Sequence, residues 1–382
     1  MCAFVFTIPW EKTVVVPGVG TLARLVGVLA FLAVAGRALW RRSLRPPNLA
    51  LLLGAAFAGW TALTWLWSIA PGETAARALT LAQLFAMLWL IWESCRTAGQ
   101  QAALVRAYVG GAAVASVLTL ARYAQGLQTY YRRYAAWGFE PNDLGLTVAL
   151  SIPLALYLAL RDRGRVRWLW RMAVLLAITA ILLSASRTAL VVGLGGFGFA
   201  AWTWRQSNVP QRAWSAVLLG LLVAGVLYLA PPASRQRLAT LPVEATQGTL
   251  HNRTQIWKAG LSVLRRHPLL GVGAGAFPEA VRPRLGTPPI PGHRYVAHNT
   301  YLSVLVECGV VGLGLFVMLL AALAAFTWVM PSVERAVWSI MLAMWAVGIT
   351  TLTWEHRKPG WLIFGLIMTE WARSFRPRAE RP

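Results

Sequence analysis

Residues 297–326 read AHNTYLSVLVECGVVGLGLFVMLLAALAAF. From Ser303 to Phe326 the only charged side chain is Glu307. A helix of this length crosses about 30 Å of hydrocarbon. The run is one of many. Apolar stretches recur at 18–40, 48–67, 75–94, 102–124, 142–160, 168–184, 187–204, 212–230, 299–329, 334–353 and 359–372. Alternating ten-residue segments, the signature of a membrane barrel, do not occur. The expected fold class is therefore an all-α polytopic membrane protein. It has about twelve transmembrane helices, eleven of them clear and the N-terminal one short.

Composition points the same way. Of 382 residues, 57% are hydrophobic and only 13% charged, with a mean hydropathy of +0.56. A water-exposed surface of this size needs far more polar side chains. The net charge of +23 comes almost wholly from arginine. In a membrane chain that reflects basic cytoplasmic loops and basic pockets for anionic lipids. Nucleic acid is a poor partner, because no soluble domain is there to carry a binding face. Cys2, Cys95 and Cys308 are scattered and form no disulfide or metal pattern. "MCAFVFTI" is apolar but too short to span; it reads as the end of a helix or as an interfacial piece.

The organisation expected is N-terminal helices over 1–230, a long loop with short helices over 231–298, C-terminal helices over 299–372 and a basic tail over 373–382. Alternate connections divide unevenly in charge. One set holds Arg41, Arg42, Arg45, Arg96, the Arg161–Arg171 cluster, Arg205, Arg212, Arg335 and the tail arginines. The other holds only Arg132, Arg133, Arg187, Arg357 and Lys358. The first set is expected to be cytoplasmic, which puts 231–298 on the outer, periplasmic side.

Four polar motifs then share that side: GFEPNDLG (138–145), SASRTAL (184–190), HNRTQIW (251–257) and AHNTYL (297–302). Arg187 sits in a very tight crossing between two apolar runs. It reads either as a snorkelling anchor or as a functional cation at membrane depth. Arg253 opens a helix-like stretch with Trp257 four residues on, followed by Lys258, Arg265 and Arg266. An ordinary loop arginine or a basic surface helix has the same pattern. Guanidinium forks match phosphate oxygens, which favours an anionic substrate. His298 reads as a helix-start residue or as a proton acceptor, its ordinary pKa being near 6.5. Asn299 either caps the following helix or orients the imidazole. Asn142 reads as a cap, and Glu140 with Asp143 as a weak pair for a divalent ion.

The order of these motifs, together with NRTQIWKAGLSVLRRHPLLGVGAGAF, resembles the O-antigen ligase and polymerase superfamily, and within it the ligases. The resemblance implies an inner-membrane glycosyltransferase facing the periplasm. It would move O-antigen glycan from undecaprenyl pyrophosphate to a hydroxyl of lipid A-core oligosaccharide, with no cofactor or metal. The family's motif residues fall on Arg187, Arg253 and His298, which suit pyrophosphate ligands and a general base; Asn142, Arg265 and Asn299 are expected as further substrate contacts. The polymerase and a protein O-oligosaccharyltransferase are the alternatives within the superfamily. A non-enzymatic transporter or flippase of anionic lipid-linked glycans is the alternative outside it.

Overall fold

The computed structural model describes residues 1–18, 20–42, 44–129, 133–204, 253–285 and 293–375, with five isolated positions between 205 and 252. The described chain is mostly helical. Its long helices are α2 (Leu22–Arg41), α3 (Leu49–Leu63), α4 (Pro71–Ser94), α5 (Ala98–Ala124), α8 (Val166–Ser184), α9 (Arg187–Trp204), α12 (Thr300–Trp328), α13 (Ser332–Gly348) and α14 (Lys358–Ser374). Short helices are α1 (Cys2–Thr7), the pair α6 (Pro141–Ala149) and α7 (Ser151–Arg161), and α10 (Arg253–Leu264) and α11 (Phe277–Val281) in the long loop. A two-stranded antiparallel ribbon, β1 (Val15–Val16) with β2 (Gly20–Thr21), precedes α2.

Among the described residues, seven helical segments are long and apolar enough to cross a membrane. They match the first six expected spans and the one beginning near 299. The helices at the other expected positions are shorter: α9 has 18 residues, and α13 and α14 have 17 each. The expected span 212–230 and the tail beyond Phe375 lie outside the described residues. The architecture is consistent with an all-α polytopic membrane protein.

The most enclosed span is α6–α7, of which 83% is buried. It breaks at Leu150, and Pro153 explains why. Proline has no N–H to give to the carbonyl of Ala149, and its ring crowds that carbonyl. At the other extreme α2 buries only 17% of its span. The short α1 is a packed element. Phe4, Val5 and Ile8 are buried, and the helix presses so closely on α5 that a Cβ on Gly111 would meet the Phe6 carbonyl oxygen at 2.2 Å.

The loop before α12 is stitched into that helix. Gly309 has φ +69° inside α12, where the helix breaks. A Cβ there would lie 2.0 Å from the Leu269 carbonyl oxygen. Backbone bonds run from Val310 N–H to Pro268 O (2.9 Å), from Val272 N–H to Val306 O (3.1 Å) and from Gly273 N–H to Glu307 O (2.9 Å). The loop also has an apolar core of its own, in which Ile256, Val263, Val272, Phe277 and Val281 gather against Ala297 and Val306. The stretch HPLLGVGAGAF therefore folds as a strap across the break in α12.

Candidate functional site

Four helix starts meet at one end of the bundle. The turn between α8 and α9 consists of Ala185 and Ser186, with Ala185 in the left-handed region at φ +48°. Arg187 is thus the first residue of α9. Arg253 is the first residue of α10. A cation is electrostatically misplaced at a helix N-terminus, where the dipole is already positive. For Arg187, whose preceding turn is described, that placement disfavours a purely stabilising role and suits an anion. Both arginines are half-buried and both are engaged with other groups in the structure.

His298 immediately precedes the cap of α12. Asn299 is that cap: its side-chain oxygen accepts from the Leu302 N–H at 3.0 Å. Of the two roles open to Asn299 in the sequence, capping is the one seen. His298 has φ +46°, a conformation histidine tolerates better than most residues. Its ring is half-buried and has no hydrogen-bond partner among the described residues. Burial pushes the imidazole down to about 4, and the positive charge of Arg253 adds to the effect; Asp143 opposes it. At pH 7 His298 is therefore neutral and able to accept a proton.

A network of hydrogen bonds brings these starts together. The indole N–H of Trp257, one turn into α10, donates to the Ala297 carbonyl at 2.8 Å, which brings α10 near enough for the Arg253 charge to act on His298. Thr300, the first residue of α12, donates its N–H to Ile349 O (2.9 Å) and its hydroxyl to Leu352 O (2.8 Å), and accepts from the Trp354 N–H (2.8 Å). The hydroxyls of Thr188 and Thr351 meet at 2.5 Å, which ties the start of α9 to the same connection. Trp354 then donates its indole N–H to Asp143 Oδ1 at 2.9 Å. Asp143 Oδ2 takes Lys12 (2.9 Å) and Arg357 (2.8 Å).

The acidic motif is differently built from the sequence expectation. Asn142 is not the cap of α6. Glu140 holds that place, accepting from the N–H groups of Asn142 (2.8 Å) and Asp143 (3.0 Å). Glutamate reaches the exposed N–H groups because Pro141 at the first helical position pre-sets the turn and donates nothing itself. Asn142 instead accepts from Arg133 Nη2 at 2.7 Å and donates to Glu140 Oε1 at 2.7 Å. Its amide is thus committed to the protein. The carboxylates read as a possible cation pair serve as a helix cap and as an ion-pair hub. Arg265 is not brought to His298. It follows the end of α10, twelve residues and about 18 Å along the axis from Arg253, and is exposed.

Several residues of the site were not singled out in the sequence. Arg133 donates to Ser184 O at 2.7 Å as well as to Asn142, so it pins the GFEPND and SASR motifs to each other. Lys12, Thr351, Trp354 and Arg357 complete the network. Behind it, buried Glu355 receives Arg77, whose guanidinium also meets His356 Nδ1 at 2.7 Å. No local pattern marks these residues, since Lys12 and Asp143 are 131 positions apart and Asp143 and Trp354 211.

The structure is thus that of a helical membrane protein with a neutral histidine and two helix-starting arginines at one end. Residues 172–317 match a family model described as O-antigen ligase. That segment contains Arg187, Arg253, Arg265, His298 and Asn299 and excludes Asn142. A curated relative, the general O-oligosaccharyltransferase of Acinetobacter baylyi, is 29% identical over 204 residues. The match takes in 50% of this chain and 35% of the relative, so the chain spans about a third of that protein's length. Together these findings support the O-antigen ligase superfamily.

Proposed function

We propose that the chain is a membrane glycosyltransferase that takes a glycan from a lipid-linked pyrophosphate and passes it to an acceptor hydroxyl. The observation that carries this reading is the pairing of a neutral, unbonded His298 with Arg253 beside it. The acceptor oxygen attacks the anomeric carbon, and its proton goes to the His298 ring. The bond from the anomeric carbon to the phosphate oxygen breaks, and pyrophosphate leaves with the electron pair. Arg187, Arg253 and the starts of α9 and α10 stabilise that growing charge. With this much positive charge in place the step needs no metal ion. A single displacement inverts the anomeric centre. The donor pyrophosphate would also counter the field of Arg253 and raise the basicity of His298 when it is needed.

The finer reading is an O-antigen ligase of the inner membrane with its site toward the periplasm. Its donor is undecaprenyl pyrophosphate-linked glycan and its acceptor lipid A-core oligosaccharide. A second reading has its own support. The matched relative's name is that of an O-oligosaccharyltransferase, so a protein hydroxyl is the competing acceptor; a lipid-linked repeat, as in a polymerase, is the third. The test is to incubate purified protein with lipid-linked O-antigen and each acceptor class separately, and to find by mass spectrometry which molecule gains sugar. Gain on lipid A-core alone supports the ligase. Gain on a protein alone, or on none of the three, removes that reading.

A further inference from the structure

The last carbonyls of a helix have no N–H of their own helix to accept from. At the end of α8 the loop before α6 supplies the donors. The Tyr134 N–H meets Leu183 O at 3.0 Å, and Arg133 Nε meets Ser184 O at 2.7 Å. The same guanidinium donates from Nη2 to Asn142 Oδ1 at 2.7 Å, with Glu140 Oε1 3.6 Å from Nη1. Arg133 is 5% exposed, so its fork is fixed between the two motifs. α6 itself comes against the turn at Gly145, where a Cβ would lie 2.7 Å from the Ala189 Cβ and 3.2 Å from the Ser186 Cβ.

Arg187 follows Ser184 by three residues, a reach of about 10 Å at most, and that chain has no slack. Ala185 is in the left-handed region and donates its N–H to Leu182 O at 3.1 Å. The Ser186 hydroxyl oxygen accepts from the Ala189 N–H at 3.3 Å, and the Ser186 N–H goes to the Ser184 hydroxyl at 3.3 Å. Both serines are buried. A shift of the Ser184 carbonyl therefore carries to the first residue of α9. Capping α8 needs one donor from Arg133, and a cation at that helix end is favourable by itself. The second arm, on Asn142, ties the turn to α6 and goes beyond what α8 requires.

We infer that Arg133 is a positioning residue: anchored on Asn142, it sets through the Ser184 carbonyl where Arg187 stands in the site. Its own fork is committed to protein acceptors, so it acts through Arg187 and not on a phosphate. That Arg187 receives the donor pyrophosphate rests on the function proposed above; that Arg133 places Arg187 does not.

Two readouts on the full chain in nanodiscs test the inference. The first needs no substrate: phenylglyoxal adducts on Arg187 are followed by mass spectrometry. Arg133→Gln should raise the rate of modification at Arg187 while Arg253 reacts as in the parent. Asn142→Ala, which removes the anchor and keeps the cation, should do the same, and it keeps the test alive if Arg133→Gln fails to fold. The second readout is binding of polyprenyl pyrophosphate. Arg133→Gln should weaken it roughly tenfold, mid-range for residues coupled through one hydrogen-bond network, and should add no loss once Arg187 is replaced by Ala. An unchanged rate at Arg187 in both variants would reduce Arg133 to a cap of α8 and overturn the inference. A matching rise at Arg253 would mean general loosening and overturn it as well. A further tenfold loss on top of Arg187→Ala would make Arg133 a phosphate ligand in its own right, and parent-like binding in Arg133→Gln when Arg187→Ala binds poorly would remove the coupling. Normal pyrophosphate binding by Arg187→Ala would instead count against the proposed function, and the modification rates would still decide for or against Arg133.

Discussion

Asp143 and His298 lie at the same end of the bundle, near enough for the charge of Asp143 to act on the imidazole, yet they are held in opposite ways. Every oxygen of Asp143 is used: Lys12 and Arg357 on one, the Trp354 indole on the other. The His298 ring has no such partner among the described residues, and its backbone is in the left-handed region. A buried polar group that is fully bonded rigidifies its surroundings. A half-buried ring without a protein partner can bond to substrate at no loss of an internal bond. Asp143 therefore reads as the keystone of the network and His298 as the group kept available for substrate.

The largest test of that contrast is His298→Ala. Transfer should fall about 10²–10⁴-fold while the thermal midpoint in detergent stays close to that of the parent. His298→Gln should be equally inactive, since an amide cannot take the proton. Because the free-enzyme pKa is lowered to about 4, kcat/KM of the parent should stay level as pH falls through 6.5. It should decline only as His298 becomes charged near pH 4. An acid limb centred near 6.5, or an active and stable Gln variant, would remove the general base.

Arg187→Ala and Arg253→Ala come next, each expected to lower turnover about 10²–10³-fold, the scale of losing one donor to a developing charge. Lysine should rescue only in part, because an ammonium lacks the bidentate fork. Normal turnover and donor affinity in both alanine variants would reduce them to helix-start arginines.

Asp143→Asn should show the opposite profile. The Trp354 bond can persist, but Lys12 and Arg357 lose their partner, and the charge-assisted bonds lost are worth about 1.5–3 kcal/mol each. A lower midpoint with near-normal turnover per folded molecule is expected; collapse of turnover at unchanged stability would move Asp143 into the chemistry. The smallest effect belongs to Asn299→Ala, which removes a cap worth about 1 kcal/mol and should leave the pH profile of transfer where it was.

Much of this was legible in the sequence, and the reason is physical. Hydropathy reports helices directly, so the spans beginning near residues 22, 49, 71, 98, 141, 166 and 300 emerged close to their observed bounds. The tight crossing at Arg187 and the helix opening at Arg253 were visible because each is a local pattern. Asn142 was misread as a cap because capping propensity favours asparagine, whereas Pro141 shifts the cap to Glu140. The connection from 349 to 357 went unmarked because its partners, Thr188, Thr300 and Asp143, lie far off in the chain.

The break at Gly309 has a consequence for biogenesis. The N–H of Val310 finds its acceptor on Pro268, and Val272 and Gly273 donate to carbonyls of the first turns of α12. Residues 268–273 leave the ribosome before α12 does. They are available to pair before α12 is complete. α12 is therefore not an independently inserting rod. Its upper turns are templated by a strap already in place, and a chain whose strap stalls in transit would present a bent helix with open backbone groups to the quality-control proteases. Selection on Gly309 and Gly271 would then act through yield of folded protein rather than through turnover.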